Sequence, residues 1–176
     1  MRVLGVDPGL TRCGLAVVDV DSRRRVSLVY ADVVRTSVEA DLGARLHTIE
    51  GRIVAVVAEF APTAIAVEQV FSQHNVRTVI GTAQAAGVAA LVASRHDIPM
   101  AFHTPSEVKA SVTGSGRADK AQVAAMVSRI VGTPVKGPAD LTDAVALAIC
   151  HCWRFPTQQR LRIASSTGVA ADKVTP

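Results

Sequence analysis

The chain has 176 residues, enough for one domain that buries roughly two thirds of the surface its unfolded form exposes, so it needs no staples to fold. Three cysteines, an odd number, with no charged-then-apolar leader argue against a secreted disulfide scaffold and predict free thiols in a reduced, cytoplasmic setting. Arg, Glu, Asp or His interrupts every apolar run before the ~20 residues of a membrane span, and 19 Lys and Arg against 15 Asp and Glu leave a mild basic excess that suits a polyanionic partner without demanding one.

Residues 2–7 and 13–20 are apolar, β-branched runs around PGLTR, and Asp21-Ser22 turns the chain toward a third run at about 25–35, which predicts a three-stranded meander. Over 41–60, Leu42, Leu46, Ile49, Ile53, Val56, Val57 and Phe60 recur at helical spacing and stop before Pro62. The segment 63–70, TAIAVEQV, predicts a short strand covered on both faces. A second helix is expected over 75–96, and its small residues, among them Gly81, Ala83, Gly87 and Ala90, imply that something packs closely against it. A fifth strand follows at 100–104, a short helix at 106–112, a loop at TGSGRAD, and helices over 120–131 and 139–153. Beyond Pro156 apolar residues are few and have no period, so residues 156–176 read as a mobile tail behind one domain, 1–155. This order of elements predicts an α/β fold with a central five-stranded mixed sheet flanked by helices.

Four acids sit where acids are awkward. Asp7 ends the first strand, Glu68 lies inside the apolar fourth, and Asp140 and Asp143, three apart, share one face at the start of the last helix. Each has an ordinary reading: DPG as a simple turn, Glu68 as the partner of an arginine, the helical pair as acids favoured at a helix N-terminus. Together they are also the inventory of a site for divalent cations, which take oxygen ligands from several elements. Carboxylates about 4 Å apart repel by several kcal/mol at a moderate effective dielectric, and a cation removes that cost. Two Mg²⁺ ions about 4 Å apart are a standard arrangement for cutting phosphodiesters.

The stretches LGVDPGLTRCGLAVV, AVEQVFSQHN with GTAQAAGVA, SEVKASVTGSGRADKAQV and ADLTDAVALAICHC resemble, in order and spacing, the motifs of the RuvC Holliday-junction resolvases over about residues 1–155. The resemblance implies a ribonuclease-H-like fold, a homodimer, and a magnesium-dependent endonuclease that makes paired symmetric nicks in four-way DNA junctions during recombination and repair. It implies catalytic, metal-binding acids at Asp7, Glu68, Asp140 and Asp143, with histidine replacing the third in some relatives, and two Mg²⁺ per site with Mn²⁺ as a substitute. It further implies action beside the RuvA and RuvB branch-migration proteins, cleavage at a short T-rich sequence, and ligatable ends with 5′ phosphate and 3′ hydroxyl.

By the same resemblance, Lys109 and Lys120 steady the scissile phosphate, and Phe71 reaches into the junction to support unstacked bases, a role that suits an apolar wedge. Gly114, Ser115, Gly116 and Arg117, between the lysines, suit phosphate contact, as do Arg77 and Arg12. Arg23-Arg24-Arg25 reads as a solvated turn. Cys150-His151-Cys152 cannot converge on one ion from a helix, where residues two apart do not face each other. The opening motif also resembles the phosphate-binding turn of actin-like and sugar-kinase ATPases, but those need a second, similar domain for which this chain has no room. The shorter YqgF family shares the motif but not the EQVF block, and a catalytically idle junction binder has no use for four intact acids.

Overall fold

A computed structural model describes residues 1–69 and 76–168, with side chains over 1–69 and 79–154. Its sheet runs β3-β2-β1-β4-β5. β1 (Arg2–Asp7), β2 (Arg12–Val20) and β3 (Val26–Arg35) form the expected antiparallel meander, and β4 (Ala64–Glu68) and β5 (Met100–His103) add parallel to β1.

Strand alternation divides the core in two. Leu4, Val6, Leu15, Val17, Ile65 and Val67 face α1 (Leu42–Phe60) and α2 (Val76–Arg95), and pack on Ile49, Ile53, Ala85 and Ala89. Val3, Ala16, Val18, Ala64 and Ala66 face α3 (Pro105–Thr113), α4 (Lys120–Val131) and α5 (Ala139–Gly168). α1, α3 and α4 begin where side chains satisfy otherwise orphaned amides: Asp41 accepts from Ala44 N, and Thr104 with Glu107 and Asp119 with Gln122 form capping boxes.

The central helix α5 is buried on all sides over residues 144–152. It lies so close to the sheet that a Cβ on Gly5 would stand 2.1 Å from Ala144 O, and one on Gly14 2.1 Å from Asp140 O. Only glycine permits that approach. Two buried histidines link α5 to β5: His103 Nε2 and His151 Nδ1 lie 3.0 Å apart and share one hydrogen. All three cysteines are free and buried.

One boundary differs from expectation. The last helix continues past Trp153 to Gly168: Pro156 removes one backbone donor inside it, but Gln158, Gln159, Arg160, Leu161, Arg162 and Ala164 beyond it are helix-compatible and no glycine intervenes before 168. Residues 169–176 of the expected tail lie outside the described residues.

Candidate active site

The site is assembled at the carboxyl edge of the central strands. Val6 pairs with Val67 in the parallel register, so the next residue of each strand, Asp7 and Glu68, stand side by side on the face covered by α5. Glycines 5 and 14 let the first turns of α5 settle onto β1 and β2, which carries Asp140 to the start of β2 and Asp143 toward the two strand acids.

The acids register one another electrostatically. Burial, then the charges of Glu68, Asp143 and Asp140, push the Asp7 carboxyl up to about 8, far above the usual carboxylate range, against the lowering effect of Lys120. Protonated at neutral pH, Asp7 can donate to Glu68. The Glu68 carboxyl is itself raised, by burial and by Asp143, and lowered by Lys120, by the hydrogen bond from Asp7 and by Lys109. Asp143 is raised by burial and by Asp140, with Lys120 and Lys109 opposing. Lys109 on α3 and Lys120 at the first position of α4 therefore both face the acids. A cation at a helix N-terminus opposes the macrodipole, so Lys120 is placed against local preference, with the Asp119 cap partly offsetting it.

Asp140 is engaged differently. Its Oδ2 receives no aligned hydrogen bond, but Arg12 Nε stands 3.2 Å away. Among the described residues no three Asp, Glu, His or Cys side chains converge on one point at ligand distance, so the four carboxylates are neighbours rather than a closed cage. They nonetheless fit a divalent cation: the donors are all oxygen, they come from three elements, and their mutual repulsion, which adds to burial in raising Asp7, is relieved by positive charge.

Between α3 and α4, Gly114 takes the left-handed conformation at φ 81°, Ser115 N donates to Thr113 Oγ1, and Arg117 N donates to Ser115 Oγ. Gly114, Ser115 and Arg117 are exposed and Gly116 is half-buried against Ser106. Phe71 lies outside the described residues, and Arg77 is in the first turn of α2 with its side chain undescribed. The Cys150-His151-Cys152 run diverges as expected, with Cys150 Sγ 3.2 Å from Ser111 Oγ and His151 turned to His103. Sequence reasoning missed three features of this end of the molecule: the pairing of Arg12 with Asp140, the histidine pair, and Arg45. None has a local signal, since the partners meet only through the fold.

The family profile described as crossover junction endodeoxyribonuclease RuvC matches residues 3–151. A relative of that name from Streptomyces avermitilis is 61% identical over 164 residues, spanning 92% of this chain and 93% of its own length. A Thermus thermophilus RuvC structure superposes with a TM-score of 0.83 at 32% identity, covering 90% of this chain and 97% of that one. T. thermophilus RuvC in complex with a Holliday junction substrate gives 0.82 at 34% identity, covering 86% and 93%.

Proposed function

The chain belongs to the RuvC family of crossover junction endodeoxyribonucleases, and from that premise we propose that Asp7, Glu68, Asp140 and Asp143 are the acids with which it resolves Holliday junctions. The observation that carries this assignment is that four carboxylates from β1, β4 and α5 are neighbours at one sheet edge, where burial and then their charges push Asp7 up to about 8. RuvC nucleases are metal-dependent, and these acids would hold the metal, Mg²⁺ at two per site with Mn²⁺ as a substitute. Bound there, the ions would supply Lewis acidity toward the scissile phosphate and acidify the attacking water.

The chain's own groups supply the rest. Lys109 and Lys120, already facing the acids, balance negative charge that grows on the phosphate in the transition state. The loop of Gly114, Ser115 and Gly116, with Arg117, tracks the strand beside it, while Phe71 and Arg77 meet the junction, Arg77 from the first turn of α2. Cleavage leaves 5′ phosphate and 3′ hydroxyl ends. We assign this activity to residues 1–155, and place the protein in the cytoplasm alongside RuvA and RuvB; no helix among the described residues is long and apolar enough to cross a membrane.

Paired nicks need two equivalent sites related by a two-fold axis, so the working unit is a homodimer. The outer face of α2 suits that role: Ile80 is 52% and Leu91 48% exposed, with Ala83 and Gly87 exposed between them on the same side. A contiguous apolar stripe of this kind on an outer helix marks an interaction surface.

The test is incubation with a labelled mobile four-way junction and a matched linear duplex, with and without Mg²⁺. Symmetric nicks in two opposing strands of the junction alone, dependent on Mg²⁺, are expected. Asp7→Asn should bind the junction as the parent does yet lose at least about a hundredfold in cutting rate, because the amide keeps the shape and removes the charge. Wild-type cleavage by Asp7→Asn would refute the assignment.

A further inference from the structure

Beside the acids, the β1–β2 turn, α1, the start of α2 and Asp140 enclose a cleft of about 360 Å³ lined by Gly9, Leu10, Thr11, Arg12, Arg45 and Thr82. Its floor is tightly built, since a Cβ on Gly81 would meet Leu10 Cβ at 3.2 Å and one on Gly9 would stand 2.1 Å from Arg12 O. Two arginines project into it, and they are held in different ways.

Arg45 is fixed but not neutralised. Its Nε donates to Thr36 Oγ1 and its Nη2 to Thr11 Oγ1, both at 2.9 Å, and among the described residues no carboxylate pairs with it. Two of the guanidinium's five N–H groups are thus used by neutral hydroxyls, leaving three donors and a full positive charge. A fork of this kind, locked by its neighbours, is suited to an oxyanion with two acceptor oxygens. Arg12 is 55% exposed, and its one charged partner among the described residues is Asp140. That pairing occupies the carboxylate assigned above to metal binding.

We infer that this cleft is a phosphate site for the DNA strand, in which Arg45 is the fixed anchor and Arg12 leaves Asp140 to meet the incoming phosphodiester. The inference rests on the resolvase reading and adds an order to it: seating the strand releases the fourth acid, so the site becomes fully competent for metal once substrate is in place. The exchange needs no covalent step. One ion pair, Arg12 with Asp140, is traded for two, Arg12 with phosphate and Asp140 with the cation.

Junction binding is measured by fluorescence anisotropy in EDTA over a series of salt concentrations. Arg45→Gln and Arg12→Gln should each weaken binding about tenfold and reduce the slope of log K against log salt by about one, the signature of one lost phosphate contact. Arg25→Gln, at the opposite end of β2 and paired with Asp21, should change neither. In the DNA-free protein, calorimetric titration should show Arg12→Gln taking up Mg²⁺ severalfold more tightly than wild type. Should Arg45→Gln fail to fold, Arg45→Lys keeps the charge without the fork and should retain the salt slope while losing affinity severalfold. Wild-type affinity and slope in a folded Arg45→Gln, or in Arg45→Lys if only that variant folds, would overturn the cleft; unchanged Mg²⁺ uptake in Arg12→Gln would overturn the exchange. Parallel cleavage assays separate the two levels: a wild-type chain that makes no paired nicks sinks the resolvase reading, whereas one that cuts while the variants bind normally sinks the cleft alone.

Discussion

Asp7 carries the tension of the site in a single side chain. Its carboxyl is held up to about 8 in the fold, against an ordinary value of 3.8, so its proton stabilises the folded protein. That contribution is full below about pH 4 and is lost as pH rises through about 8. The buried His103 and His151 act in the opposite sense: burial lowers both, His151 to about 4, so their contribution is present above about pH 6.5 and lost below it. The Asp7 effect is therefore cleanest between pH 6.5 and 8.5. Without metal, the melting temperature should fall by at least about 3 °C across that window, and Asp7→Asn should flatten the fall. Mg²⁺ should restore stability more at pH 8.5 than at pH 6.5, since it takes the proton's place, and the Mg²⁺ needed for half-maximal cleavage should drop as pH rises. Thermal melts and cleavage titrations at several pH values check both; a wild-type curve parallel to that of Asp7→Asn would contradict the coupling.

At the scale of elements, the site depends on how closely α5 lies on the sheet. The acids at its start could not reach the strand edge if Gly5 or Gly14 carried a side chain, because the obstacle is backbone on both sides and cannot rotate away. Gly14→Ala should cost about 3 kcal/mol or more, at or beyond the usual range for overpacking, and should weaken Mg²⁺ binding and cutting together by displacing Asp140. Gly51 on α1 offers the contrast: nothing lies within 4 Å of a Cβ there, so Gly51→Ala should stabilise the helix by about 0.5–1 kcal/mol and leave cleavage alone. Chemical denaturation of the two variants is the measurement. Equal effects would mean that close packing of α5 is not what places the acids.

For the whole molecule, paired cutting demands two sites. Leu91→Glu on the outer face of α2 should yield a monomer in sedimentation equilibrium while leaving the melting temperature within about 2 °C of wild type, as expected for an exposed position. On a junction it should leave mostly single nicks in place of symmetric pairs. A variant that stays dimeric and cuts in pairs would move the interface elsewhere.

Much of this was legible along the chain. Alternating β-branched runs and the 3.6-residue repeats of α1 follow from local sterics and from apolar residues recurring on one face, so the meander, the order of elements and the mixed sheet can be read without coordinates. Asp7 and Glu68 announced themselves because a charge inside or at the end of an apolar strand opposes the burial around it. Asp140 and Asp143 were half legible, since acids at a helix start have an ordinary explanation that only their approach to Asp7 removes. The end of α5 was misjudged because aperiodic polarity does not by itself stop a helix. The hold of Arg12 on Asp140, the hydroxyl cradle of Arg45 and the meeting of His103 with His151 were not legible at all. Each joins residues from different elements: the depth to which α5 sinks onto two glycines sets the first, and the packing of α1 beside the β1–β2 turn sets the second, distances that no local pattern encodes.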